Sequence, residues 1–135
     1  MKIRVVSSKN EIRSLKPDEK MVHLAFRPSN VDLLALLQRC PRLKLIQVPP
    51  SYKRTMSSAI SVFLDMQGVE VVEGDVWGHR KDLDAYFTVH DQTVEDIRGM
   101  VGRGMPPEVM AAEVQKTAKL APELIKYIAR TMASA

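Results

Sequence analysis

The sequence predicts a small α/β protein: a mostly parallel sheet of four to five strands with flanking helices and a C-terminal helical pair. Three observations predict it. Five short runs rich in β-branched and aromatic residues recur between residues 2 and 89, helix-like segments separate most of them, and beyond residue 90 the strand pattern stops. The spacings are mostly too long for hairpins, so an alternation of strand and helix places neighbouring strands parallel through right-handed crossovers.

The strand runs are KIRVV (2–6), VHLAF (22–26), KLIQV (44–48), VEVV (69–72) and AYFTV (85–89). Short, near-continuous apolar runs suit strands covered on both faces. Between the first two, Ser8 and Glu11 are spaced as a capping box for one or two helical turns, which Pro17 ends. In SNVDLLALLQRCPRL, Ser29 or Asn30 can cap a helix that Pro41 closes. In YKRTMSSAISVFLDMQG, Met56, Ala59, Ile60, Phe63 and Met66 fall at helical spacing before a Gly68 stop. The last connection, EGDVWGHRKDLD, is short and polar, so it reads as a loop with a turn at Gly78.

The strand starts at 2, 22, 44 and 69 also fit the repeat length of a leucine-rich solenoid. Such a solenoid needs a recurring consensus, because one unit cannot bury its own apolar face. No residue pattern recurs here and the chain ends wholly helical, which favours the compact sheet.

Past His90, three helical segments are divided by residues 102–107 and 120–122. In the last, Leu124, Ile125, Ile128 and Met132 form one stripe, with Glu123, Lys126, Tyr127 and Arg130 away from it. Two helices joined by a short turn invite a helix-turn-helix reading. A recognition helix, however, presents donors from its first turn, and this one begins APELIKYIAR, with Pro122 and Glu123 there. The stripe is therefore expected to pack on the sheet or on a second copy of the chain, giving a homo-oligomer, rather than to carry DNA readout. The whole chain reads as one domain, 1–135, with 1–89 forming the sheet and 90–135 the helical part; its small-residue tail is expected to fray.

A chain of 135 residues buries a core without staples. The single Cys40 cannot form an internal bridge and reads as a small buried hydrophobe in a reducing, cytoplasmic setting. No apolar run approaches the roughly 18 residues of a membrane span, and the first residues lack the apolar stretch of a signal peptide, so no membrane partner is expected. Neither metal-ligand spacing nor a Gly-rich phosphate loop occurs, and no cofactor is expected. The net charge of +4 is unevenly spread: residues 1–89 carry 14 Lys and Arg against 10 Asp and Glu, and residues 90–135 carry 6 against 6. A polyanion should therefore be drawn to the N-terminal part.

In parallel sheets ligands sit outside the carboxyl ends of the strands. The residues just beyond the runs are rich in hydroxyls and cations, and Arg27, Ser29, Asn30, Ser51, Lys53, Arg54, Trp77, His79 and Arg80 form the expected binding rim. Hydroxyls beside helix starts and nearby guanidinium groups suit phosphate. The plain alternative is that the hydroxyls are caps and the cations a solvated edge. GDVWGHRKDLD is the segment most like a functional loop, holding the only Trp, one of three His, and Asp75 four residues before His79, a spacing open to acid–base work. The expectation is a non-catalytic regulatory module for a nucleotide or nucleic acid. A small enzyme acting on an anionic metabolite, or an assembly protein using the C-terminal helices, are the alternatives.

MKIRVVSSKNEI at the start, the FRPSN and QVPPSY turns, and MPPEVMAAEV before the last helices resemble a family of small archaeal proteins, chiefly of methanogens, known as a domain of unknown function. The resemblance spans nearly the full chain. It implies a cytosolic archaeal source and no established activity, and it transfers no catalytic residue.

Overall fold

The computed structural model of the protein describes residues 1–133. Its centre is one five-stranded sheet: β1 (Lys2–Val6), β2 (Met21–Leu24), β3 (Leu45–Val48), β4 (Glu70–Glu73) and β5 (Tyr86–Thr88), in the order β4-β3-β2-β1-β5. The first four strands are parallel and β5 runs antiparallel to β1. The direction of β5 follows from its connection. Residues 74–85 hold no crossover helix, so the chain leaves the carboxyl end of β4, crosses the top of the sheet and comes back down outside β1.

Each connection obeys its local chemistry. A 3₁₀ turn at Lys9–Ser14 carries the expected Ser8 and Glu11 capping box. Helix α1 (Asn30–Arg39) starts at Ser29, whose hydroxyl accepts from the Asp32 amide at 3.1 Å while its own amide donates to the Asp32 carboxylate at 2.9 Å. The segment after β3, expected as one helix, is two: α2 (Pro50–Thr55) and α3 (Ser58–Met66). Pro50 sits at the first position of α2, where a missing N–H costs nothing, and Ser57 opens α3 afresh by accepting from the Ile60 amide. Extended backbone at Met56 and Ser57 separates the two. Gly68 closes α3 at φ 77°, the left-handed conformation that suits glycine.

Period-two alternation gives the sheet two apolar faces. Val6, Val22, Leu24, Ile46 and Val48 pack with Ile12, Leu33, Leu36, Ile60 and Leu64 from the 3₁₀ turn, α1 and α3. Ile3, Met21, Leu45 and Val72 face the other way, onto α4 (Asp91–Gly102), α5 (Pro107–Gln115) and α6 (Pro122–Ala133). Leu124, Ile125 and Ile128 of α6 are fully buried there, so the expected stripe is spent on this chain's own sheet. Each such side chain stabilises by about 1.5–3 kcal/mol. Met132, the fourth member, is only partly buried at the edge of the same cluster. Tyr127, read as lying off the stripe, also packs against it. Of the small-residue tail, residues 134 and 135 lie outside the described residues.

Cys40 is buried and free, its thiol donating to the Lys16 carbonyl at 3.5 Å. Burial, with Glu19 nearby, pushes that thiol up to about 11, as befits an inert small hydrophobe.

Candidate functional site

Four parallel strands bring their carboxyl ends to one edge, and the 74–85 loop lies across them. At the middle of that edge are two polar residues inside otherwise apolar strands. His23 of β2 and Gln47 of β3 stand in register, point toward the C-terminal helices, and are 1% and 0% exposed. Gln47 Nε2 donates to His23 Nδ1 at 2.9 Å, which leaves the ring proton on Nε2, 3.8 Å from Asp75 Oδ1. Gln47 Nε2 also approaches the Asp75 carbonyl at 3.4 Å. Burial drives His23 down to about 4; Asp75 opposes this and His79 adds to it. His23 is therefore neutral at pH 7.

His79 comes to the same place from the loop, its ring edge-on to Phe87 at 6.0 Å. Its Nε2 and Gln47 Oε1 are buried without a hydrogen-bond partner among the described residues. Gly74 floors the cluster. A Cβ there would come within 2.4 Å of Ala121 Cβ and 2.8 Å of Gln47 Oε1, so only glycine lets the start of α6 seat against the end of β4. Above this contact a cleft of about 380 Å³ opens between Pro50, Gly74, Trp77, Ala121 and Pro122, with Glu73, Asp75 and Glu123 also on its walls. Trp77 is 47% exposed, so half of its indole is open for stacking. Apolar walls with three carboxylates suit a flat or cationic group better than a phosphate.

The rim residues expected from the sequence all follow carboxyl ends of parallel strands. Arg27 stacks on Tyr52, 5.0 Å from its ring centre, and donates to the Thr55 hydroxyl. Ser29 is occupied by its capping box with Asp32. Asn30 and Ser51 are exposed at the starts of α1 and α2, and Arg54 is exposed near the end of α2. Lys53 lines a shallow polar hollow with Glu70, Glu73, Glu123 and Arg130. Arg80 forms two bonds to Asp82, at 3.0 and 2.6 Å, and its neighbour Lys81 pairs with Glu11. The structure thus brings Arg27 to Tyr52 and His79 toward His23; Arg27 and Arg80 are engaged by neighbouring side chains, while Lys53 and Arg54 form no ion pair among the described residues.

Sequence spacing pairs Asp75 with His79; the structure sets Asp75 beside His23 and joins His23 to Gln47. The available signal was one polar residue interrupting each of two apolar strand runs; their adjacency needs the strand register, which periodicity alone does not give.

On this same face of the sheet, α5 and α6 pack tightly around the turn at 116–121. Lys126 lies 3.4 Å from both Glu108 and Glu123, and Arg130 pairs with Glu70 of β4. The outward side chains of α6 are thus held by carboxylates and make no continuous basic face. Among the described residues no group of His, Cys, Asp and Glu is placed to hold a metal ion, and no helix is long and apolar enough to cross a membrane.

Residues 2–85 match the model of a family described as a family of unknown function (DUF1699), N-terminal domain, and residues 92–130 match a protein of unknown function (DUF1699), C-terminal HTH domain. The helix-turn-helix reading that the sequence argument set aside is thus the one the family description carries. No curated protein and no solved structure matches the chain.

Proposed function

We propose, from the premise that the chain belongs to the DUF1699 family with its C-terminal HTH domain, that it is a non-catalytic regulatory module whose partner is nucleic acid. The observation that carries this reading is the helix-turn-helix description of residues 92–130. The surplus of cations in residues 1–89 supports it, because phosphate charge dominates nucleic-acid affinity. The packing of α6 limits how the motif acts: with Leu124, Ile125 and Ile128 buried and Lys126 and Arg130 in ion pairs, this helix does not offer base-reading donors in the arrangement described.

A smaller phosphate-bearing ligand, a nucleotide for instance, is assigned in this reading to the rim of Arg27, Ser29, Asn30, Ser51, Lys53, Arg54, Trp77, His79 and Arg80, with Trp77 as the stacking surface. A cytoplasmic archaeal setting, which the family resemblance implies, suits the free Cys40. A homo-oligomer through the C-terminal helices would have to use outward residues such as Val109, since the main stripe is occupied.

The convergence of His23, Asp75 and His79 favours one second reading, a small enzyme using them for acid–base work on an anionic metabolite. His23 is closed off from solvent, so Asp75 or His79 would have to relay its proton.

Thermal unfolding with nucleotides, sugar phosphates, short RNA and duplex DNA separates these readings. A ligand at about 100 times its Kd adds about 2.7 kcal/mol, a rise of several degrees in Tm. The binding reading predicts such a rise with a nucleic acid. A nucleotide at the rim should stabilise the parent but not the Arg27→Ala/Arg80→Ala variant. A rise with a metabolite alone, abolished by Asp75→Asn, would favour the enzyme. No rise with any member of the panel would remove the binding reading.

A further inference from the structure

A second group of the cations in residues 1–89 stands at the other end of the sheet from the expected rim. Strand register makes this visible. Arg4 stands beside Val22 and Met21 beside Leu45, so Lys2, Lys20 and Lys44 fall side by side at the amino ends of β1, β2 and β3. Alternation turns all three away from Ile3, Met21 and Leu45, toward the α1 side. Helix α1 ends at the same edge, with Arg39 donating to the Leu15 carbonyl and Cys40 to that of Lys16.

Lys16, Lys20, Arg39, Arg42 and Lys44 are exposed, and among the described residues none has a carboxylate partner. Nearby Glu19 is buried and accepts from the Tyr86 hydroxyl, which leaves Asp18 as the exposed acid of that loop. The dipole of α1 accounts for a cation at Arg39, in its last turn, but not for lysines at three strand starts. Like charges facing one another across neighbouring strands destabilise a sheet.

We infer that this amino-end edge, through Lys16, Lys20, Arg39, Arg42 and Lys44, is the surface that binds the phosphate backbone of duplex nucleic acid. The inference rests on the nucleic-acid reading above and assigns it a surface. Strands stand roughly 4.8 Å apart, so the row from Lys2, whose ammonium lies over the Tyr86 ring, to Lys44 spans on the order of 10 Å. That matches the axial rise of about three nucleotides at 3.4 Å each. Single strands are held by stacking on aromatic rings, and the exposed Trp77 lies at the opposite end of the sheet, so the edge suits a duplex read by charge.

The test is fluorescence anisotropy of the intact chain with a labelled duplex of arbitrary sequence. Lys20→Ala/Arg42→Ala/Lys44→Ala changes three exposed side chains and should leave Tm nearly unchanged. Near 0.1 M salt it should lower affinity on the order of 100-fold, equally for unrelated sequences, and reduce the salt slope by about 0.9 per lost contact. A carboxyl-end control outside both the edge and the rim, Lys9→Ala, removes one exposed cation and should bind duplex as the parent does. If the parent binds and the triple variant binds equally well, this surface is wrong while the nucleic-acid reading stands. If the parent binds no duplex but short RNA raises its Tm, the surface is wrong and the reading stands; if it binds neither, both fail; binding to anionic lipid vesicles in their place would assign the edge to a membrane surface and overturn the proposal.

Discussion

Leu124→Ala should destabilise the protein by about 2–5 kcal/mol and loosen the sheet and the C-terminal helices in one step. Leu124 is fully buried among Ile3, Leu45 and Val72 from the sheet and Ile97 and Val114 from the other helices, so removing it leaves a cavity that both parts line. The two family matches, 2–85 and 92–130, divide the chain where this core does not. Urea unfolding followed by Trp77 emission and by far-ultraviolet circular dichroism checks the point. Trp77 sits beside Ala121 and Pro122, so it reports the seating of α6 on the sheet, whereas dichroism reports helix content. Coincident transitions, shifted together in the variant, are expected of a single domain. Two separate transitions would mean that the segments fold on their own.

His23→Gln should remove a specific acid sensitivity. The folded imidazole titrates at about 4, below its ordinary 6.5, because burial disfavours the charged ring. The unfolded chain therefore binds the proton more readily. The stability this neutral ring allows is complete above about pH 6.5 and is lost as pH falls from there toward 4. At pH 4.5 the loss is roughly 2–3 kcal/mol. Glutamine keeps an acceptor for Gln47 and carries no proton, so the variant's stability should be flatter with pH over that window. Urea midpoints at pH 7 and pH 4.5 measure it. Equal losses in parent and variant would mean that His23 is hydrated and charges freely.

These two residues also mark how far the sequence could be read. The apolar runs foretold every strand, and local chemistry foretold the capping box at Ser8 and Glu11, the start of α1 at Ser29, the stop at Gly68 and the turn at Gly78, because each depends on residues a few positions apart. The break at Met56 and Ser57 escaped, since the apolar spacing continues across it. Relations between strands were harder. The pairing of His23 with Gln47 and the alignment of Lys2, Lys20 and Lys44 both rest on register, which is fixed only when the faces of the sheet are covered. Base-reading donors in the first turn of α6 are a mark of DNA readout and not of the helix-turn-helix itself, and the motif can be present without them, as the buried α6 illustrates.

The salt dependence of duplex binding by the unmodified chain bears most directly on the function proposed for it. Each neutralised phosphate contributes about −0.9 to the slope of log affinity against log salt, so five exposed cations without a carboxylate partner at one edge predict a slope of roughly −4 to −5, the same for unrelated sequences. Affinity should then fall between about 100-fold and 1,000-fold from roughly 50 to 200 mM salt. Absence of binding at about 50 mM salt, or binding whose affinity does not change with salt, would contradict the nucleic-acid role.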